Sequence, residues 1–162
     1  MSTNGTIAIR SKGKTIRTYN HSDSYPSYLG VELGKFARDA DAEVIAAQIA
    51  TVTLVKEDDT PTAEQLAACK EAGLWQDVSR GTDWYAALRS VQGDIEATLA
   101  TGYFLNWTWG DNQEWGYLVD FDHSVLKITR NGYPFQAVGF DLLKDDESLR
   151  ALMAGIEEKA YA

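Results

Sequence analysis

The 162-residue chain has one cysteine, Cys69, so no disulfide can form within it, and neither a cysteine redox pair nor a cysteine-based zinc cluster is available. Three prolines and no low-complexity tract argue against an extended disordered segment. No apolar run approaches the ~20 residues needed to cross a bilayer, so no membrane association by spanning is expected. The opening residues MSTNGTIAIRSKGK lack the apolar centre of a secretory signal, and a cytoplasmic location is the expectation. Basic residues are also scarce, 15 against 24 acidic, giving a net charge of −9. That balance opposes the counterion-releasing contacts that drive binding to duplex nucleic acid, which is therefore not an expected partner. The same acidity admits imitation of nucleic acid on another protein's basic groove, but the carboxylates are scattered rather than regularly spaced and suit a merely soluble surface equally.

Reaction-bearing motifs are missing as well. The chain has no G-x-S-x-G elbow, no H-E-x-x-H pair and no glycine-rich phosphate loop, its 13 glycines being dispersed. No catalytic residue, metal or cofactor is assigned on this basis.

What is present is an alternation of short strand and helix signals. Thr6–Arg10 and Lys14–Tyr19 are β-rich and flank Ser11-Lys12-Gly13, which predicts a hairpin. Ser27 stands as an N-cap before Leu29, Leu33 and Phe36, predicting a helix over 28–37, with Gly30 and Gly34 allowing a close neighbour. Asp41 caps a second helix whose β-branched end, Thr51 to Val55, favours an early exit. Thr62 and Gln65 form a capping box for a third helix that stops at Gly73. Trp84, Leu88, Val91, Ile95 and Leu99 recur at helical spacing and predict one long helix over 82–101. Trp115, Tyr117, Val119 and Phe121 alternate along a strand, Ser124–Arg130 forms another, and Asn131-Gly132 marks a turn into a third over 135–142. A last helix begins near Asp145-Asp146 and buries Leu149, Leu152, Met153 and Ile156. The expected fold is one α+β domain over 1–162: a single antiparallel sheet of about five strands, N-terminal hairpin plus C-terminal meander, with helices packed on one face.

The stretch Tyr19 to Gly30, YNHSDSYPSYLG, is the most concentrated candidate site. His21 and Asp23 lie two apart, so an extended chain would point both to one side, where the carboxylate could orient an imidazole acting as base or metal ligand. A metal reading adds Asp120, Asp122 and His123. The competing account is structural, with Asp23 and Ser24 bonding backbone amides in a turn stiffened by Pro26. Trp107 and Trp109 suit a stacking platform or protein anchor, whereas Trp75, Trp84 and Trp115 suit the core. Arg17, His21, Asp23, Tyr25, Arg89, Trp107, Trp109 and Glu114 are the residues expected to line a binding pocket, with Arg89 free to meet Asp23, Asp94 or solvent.

Three segments, YNHSDSYPSYLG, DWYAALRSVQGD and EWGYLVDFD, together resemble an uncharacterised family of small actinobacterial and bacteriophage proteins. Its signatures are Y-x-H-x-D-G-Y-P, then D-W-Y-x-x-L-R-x-x-Q-G-D and E-W-x-Y-x-x-D-x-D. Ser24 stands where that family usually has glycine, and Ser22 where it often has tryptophan. The resemblance implies a phage or mobile-element setting and no mechanism. In that setting the expected role is a non-enzymatic binder, either inhibiting a host or defence protein or sequestering a small signalling ligand. The alternative is a hydrolase or metal-dependent enzyme using His21 and Asp23.

Overall fold

Lys12 (φ 50°) and Gly13 (φ 76°) both occupy the left-handed region, so the first turn is the tight two-residue kind that matches strand twist. It joins β1 (Gly5–Ser11) to β2 (Lys14–Asn20), with Ile9 opposite Ile16. The computed structural model describes residues 3–74, 81–108 and 113–162. The expected roles of Trp75 and Trp109 lie outside them.

After β2 the chain winds a π-helical turn over Pro26–Gly30 that runs directly into α1 (Val31–Asp39). Ser27 is therefore not the N-cap; its hydroxyl donates to the Glu157 carboxylate at 2.9 Å instead. Leu29 and Leu33 are buried as expected. Gly30 and Gly34 face α6 (Asp146–Ala160): an added Cβ would lie 2.9 Å from Met153 Sδ and 2.6 Å from Leu149 Cδ1, the tips of flexible side chains that would have to move, so the glycines ease the close approach. Asp41 caps α2 (Ala42–Thr51), which does end early and yields β3 (Thr53–Val55). The Thr62/Gln65 capping box opens α3 (Ala63–Glu71).

The long helix expected over 82–101 is broken. It divides into α4 (Trp84–Ala87), a 3₁₀ turn (Arg89–Val91) and α5 (Ile95–Ala100). Gly93, at φ 88°, ends the first part, and Asp94 restarts the helix by accepting Ala97 N at 3.1 Å. The apolar stripe survives on both sides of the break but serves two cores. Ile95 and Leu99 join the main one, whereas Trp84 and Leu88 join a smaller cluster with Val55, Cys69, Leu74 and Leu105.

β4 (Tyr103–Leu105) pairs in parallel with β3 as a second, two-stranded sheet. β5 (Trp115–Asp120), β6 (Val125–Arg130) and β7 (Tyr133–Gly139) form the expected meander. The main sheet has the order β2-β1-β5-β6-β7 and is mixed, because β1 pairs with β5 in parallel, Ile7 beside Tyr117. The expectation of one purely antiparallel sheet is thus corrected in two respects. The hairpin docks through its first strand, and the long helical crossover returns the chain to the end of the sheet from which β1 started, which imposes parallel pairing. Ile7, Ile9, Trp115, Val119, Leu126 and Ile128 project into the main core against Leu33 and Ile49 of α1 and α2 and Leu149 and Met153 of α6. No helix among the described residues is long and apolar enough to cross a membrane.

Candidate functional site

The turn YNHSDSYPS is built around Asn20, which is 6% exposed. Its side-chain amide donates to Ser22 O at 2.7 Å and to Ser24 Oγ at 2.9 Å. Ser24 is fully buried; its amide donates to Thr3 O, and its carbonyl accepts Tyr117 OH at 2.6 Å. Burial, reinforced by nearby Glu157 and Tyr161, raises the Tyr117 pKa well above the ordinary phenol value, so this hydroxyl stays a donor. From the other side Gln92 Oε1 accepts His21 N at 2.6 Å and Arg89 Nη1 at 3.2 Å. Gly93 lies so close to Asn20 that an added Cβ would come within 2.9 Å of Asn20 Oδ1. The break in the predicted helix and the first loop are therefore one joined structure.

Asp23 stands apart from this network. It is exposed and left-handed (φ 56°), a region sparsely used by residues with a Cβ although aspartate tolerates it better than most. Its carboxylate has no hydrogen-bond or ion-pair partner among the described residues, so it bonds none of the backbone amides expected of it; the turn is held instead by Asn20, whose side-chain amide donates to Ser22 O and Ser24 Oγ. His21 is not oriented by Asp23 either, because its Nδ1 lies 3.2 Å from Tyr19 OH.

Asp23 and Arg89 both line an open groove of about 960 Å³. Its walls are the π-helical turn and α1, the start of α2, and the connection from Arg89 to Glu96. Buried Leu29, Val31 and Ile45 contribute to its floor, half-buried Phe36 and 53%-exposed Val44 to its sides. Six carboxylates line it: Asp23, Glu32, Asp39, Asp41, Asp94 and Glu96. Three irregular backbone features, the left-handed Asp23, the π-helical turn and Gly93, lie among the lining residues. Of these, sequence reasoning missed Gln92, Gly93 and Val44; a glycine interrupting a helical stripe was the one local signal.

The other expected pocket residues lie elsewhere. Trp107 stacks on Tyr19 at 4.3 Å and 17°, and its amide donates to Arg17 O at 2.9 Å, along the outer edge of β2. One face of Trp107 is thus taken by the protein itself. Glu114 accepts Tyr161 OH at 2.6 Å; Tyr161 in turn accepts Trp115 Nε1 at 3.3 Å, while Arg130 sits 4.5 Å from the Tyr161 ring and donates to Ala160 O. Tyr25 lies 6.4 Å from the Tyr161 ring. This second cluster fastens the end of α6 to the sheet. Trp84 and Trp115, 2% and 0% exposed, belong to the core as expected.

The five-residue metal reading does not assemble. Asp120 is fully buried at the opposite end of the sheet: it neighbours Arg10 in β1, whereas Asn20, just before His21, pairs with Gly5. Five residue steps along β1, at ~3.3 Å each, separate the two ends. Asp120 accepts the amides of Asp122 and His123 and His123 Nδ1 (2.9 Å), and Asp122 receives the amides of Lys12 (2.7 Å) and Gly13 (2.9 Å). Those carboxylates tie two turns together. Burial alone would raise the Asp120 pKa, but the His123 hydrogen bonds and the Arg10 charge outweigh it and hold it below the usual value. No group of three or more metal-ligating side chains occurs among the described residues.

Comparison with known protein families, curated proteins and solved structures yields no significant match.

Proposed function

We propose that the chain is a non-enzymatic binding protein whose ligand occupies the groove between α1, α2 and the Arg89–Glu96 connection. The observation that carries this reading is Asp23. An exposed carboxylate on a left-handed residue lines the open groove, while Asn20 holds the loop through Ser22 and Ser24 without it. A charged side chain that the fold does not use, on a residue in a sparsely populated backbone region, is a mark of a site. In the phage or mobile-element setting implied by the resemblance, occupation of the groove inhibits a host or defence protein or withdraws a small signalling ligand.

Native mass spectrometry of the protein purified from its producing cells tests the reading, beside a Gln48→Trp variant that fills the groove from α2. A retained protein or small molecule on the wild type, lost from the variant, is the expected result. Retention equal in both, or a ligand cross-linked outside the groove, would refute it. Catalysis by His21 and Asp23 would instead require activity abolished by His21→Ala, a residue that does not line the groove.

A further inference from the structure

The groove has a charge and a shape that restrict its occupant. Six lining carboxylates face three lining cations, Lys35, Arg89 and Arg150. Lys35 already meets Glu32 (3.7 Å) and Asp146 (4.0 Å), and Arg89 is engaged with Gln92. Asp41 and Asp94 each spend one oxygen on helix-capping amides, and Asp39 is paired with Arg38 at 2.7 Å. Asp23 and Glu96 have no partner among the described residues. The groove is therefore acidic within a protein of net charge −9.

Along the same surface run apolar contacts. Val44 is 53% exposed on the α2 wall, Tyr28 is 61% exposed at the π-helical turn, and Phe36 is half-buried between them in the chain, on α1. Sites for small molecules enclose most of the ligand's surface, whereas this groove stays open beside α1, whose nine residues extend ~13 Å, between two and three helical turns. An acidic groove with apolar side chains along its length suits an amphipathic helix with a basic flank, laid in so that its apolar face meets Val44 and Phe36.

We infer that the occupant of the groove, on the binding reading above, is a basic amphipathic helical segment of a partner protein, with Asp23 receiving a lysine or arginine at one end. An acidic segment or a nucleic acid is opposed by the lining charge. A small polyamine would satisfy the carboxylates but would leave the apolar wall unused, and so is a distinguishable occupant.

The test is an amide NMR titration of the intact 162-residue chain. Four probes are compared: a helical peptide with leucine at i, i+4, i+7 and i+11 and lysine on its flanks, the same peptide with glutamate for lysine, a scrambled lysine peptide, and spermine. Expected is saturable movement of the Val44, Gly93 and Asp94 amides with the lysine peptide alone. The affinity should fall at least tenfold in the Asp23→Asn/Glu96→Gln variant, and severalfold on raising salt or in Val44→Ser. The inference is overturned if the lysine peptide leaves those amides unmoved, if scramble or spermine binds as well, or if the neutralised variant binds undiminished. If the wild type nevertheless retains a ligand that Gln48→Trp loses, the groove remains the site and only the basic-helix occupant fails.

Discussion

At the scale of the residue, Asn20 and Asp23 divide the tasks expected of a single aspartate. Asn20 is buried and bonded to Ser22 and Ser24, so Asn20→Ala strands a carbonyl and a hydroxyl in the interior and should cost about 2–3 kcal/mol in urea unfolding. Asp23→Gly removes a side chain without a protein partner and relieves its positive φ. Its stability should equal or slightly exceed that of the wild type, within about 1 kcal/mol, while ligand retention falls. A lower urea midpoint for Asp23→Gly than for Asn20→Ala would reverse the assignment. The histidine-aspartate spacing was legible in the chain, but not that the two side chains part. Their separation depends on the left-handed Asp23 and on Tyr19 and Gln92, which meet His21 from a strand and from a distant connection.

At the scale of the element, the segment from Thr82 to Thr101 shows how periodicity misleads. Its stripe is real, yet Gly93 and Asp94 cut it, since Gly93 at φ 88° cannot continue a helix and Asp94 caps a new one. Gly93→Ala places a Cβ against Asn20 Oδ1 and forces a left-handed alanine, an expected loss of about 1–3 kcal/mol measured by thermal melting. A restored continuous helix with unchanged stability would show that the break is incidental. The loss should also loosen His21, because Gln92 holds its amide, and amide hydrogen exchange at His21 would report it.

At the scale of the whole molecule, charge sets the behaviour. Asp120 joins β5 to the turn before β6, and its pKa is lower in the folded chain than in the unfolded one. A depressed carboxyl pKa stabilises the fold fully above the unfolded value of about 4, and that contribution is lost as pH falls through the folded value. Asp120→Asn should therefore be destabilised at pH 7 and show a flatter decline in melting temperature below pH 4; an acid limb as steep as the wild type's would contradict the coupling. The net charge of −9 predicts no shift of duplex DNA at moderate salt in a gel assay. Saturable submicromolar binding would defeat that expectation.

The local elements were legible in the chain: the two tight turns, the Asp41 cap, the Thr62 capping box, the β5–β7 meander, the α6 start at Asp145 and the close helix contact at Gly30 and Gly34. Each depends on residues a few positions apart, or on one residue's backbone preference, and so is written locally. Long-range packing alone set the parallel pairing of β1 with β5, the second sheet of β3 and β4, and the groove where α1, α2 and the Arg89–Glu96 connection meet. Those outcomes turn on which surfaces bury together across 50 to 110 residues of chain, and no local spacing encodes the choice. Asp23 belongs to both accounts: its place in the loop is read from the chain, whereas the network that leaves it out, in which Asn20, Gln92 and Gly93 meet, exists only in space.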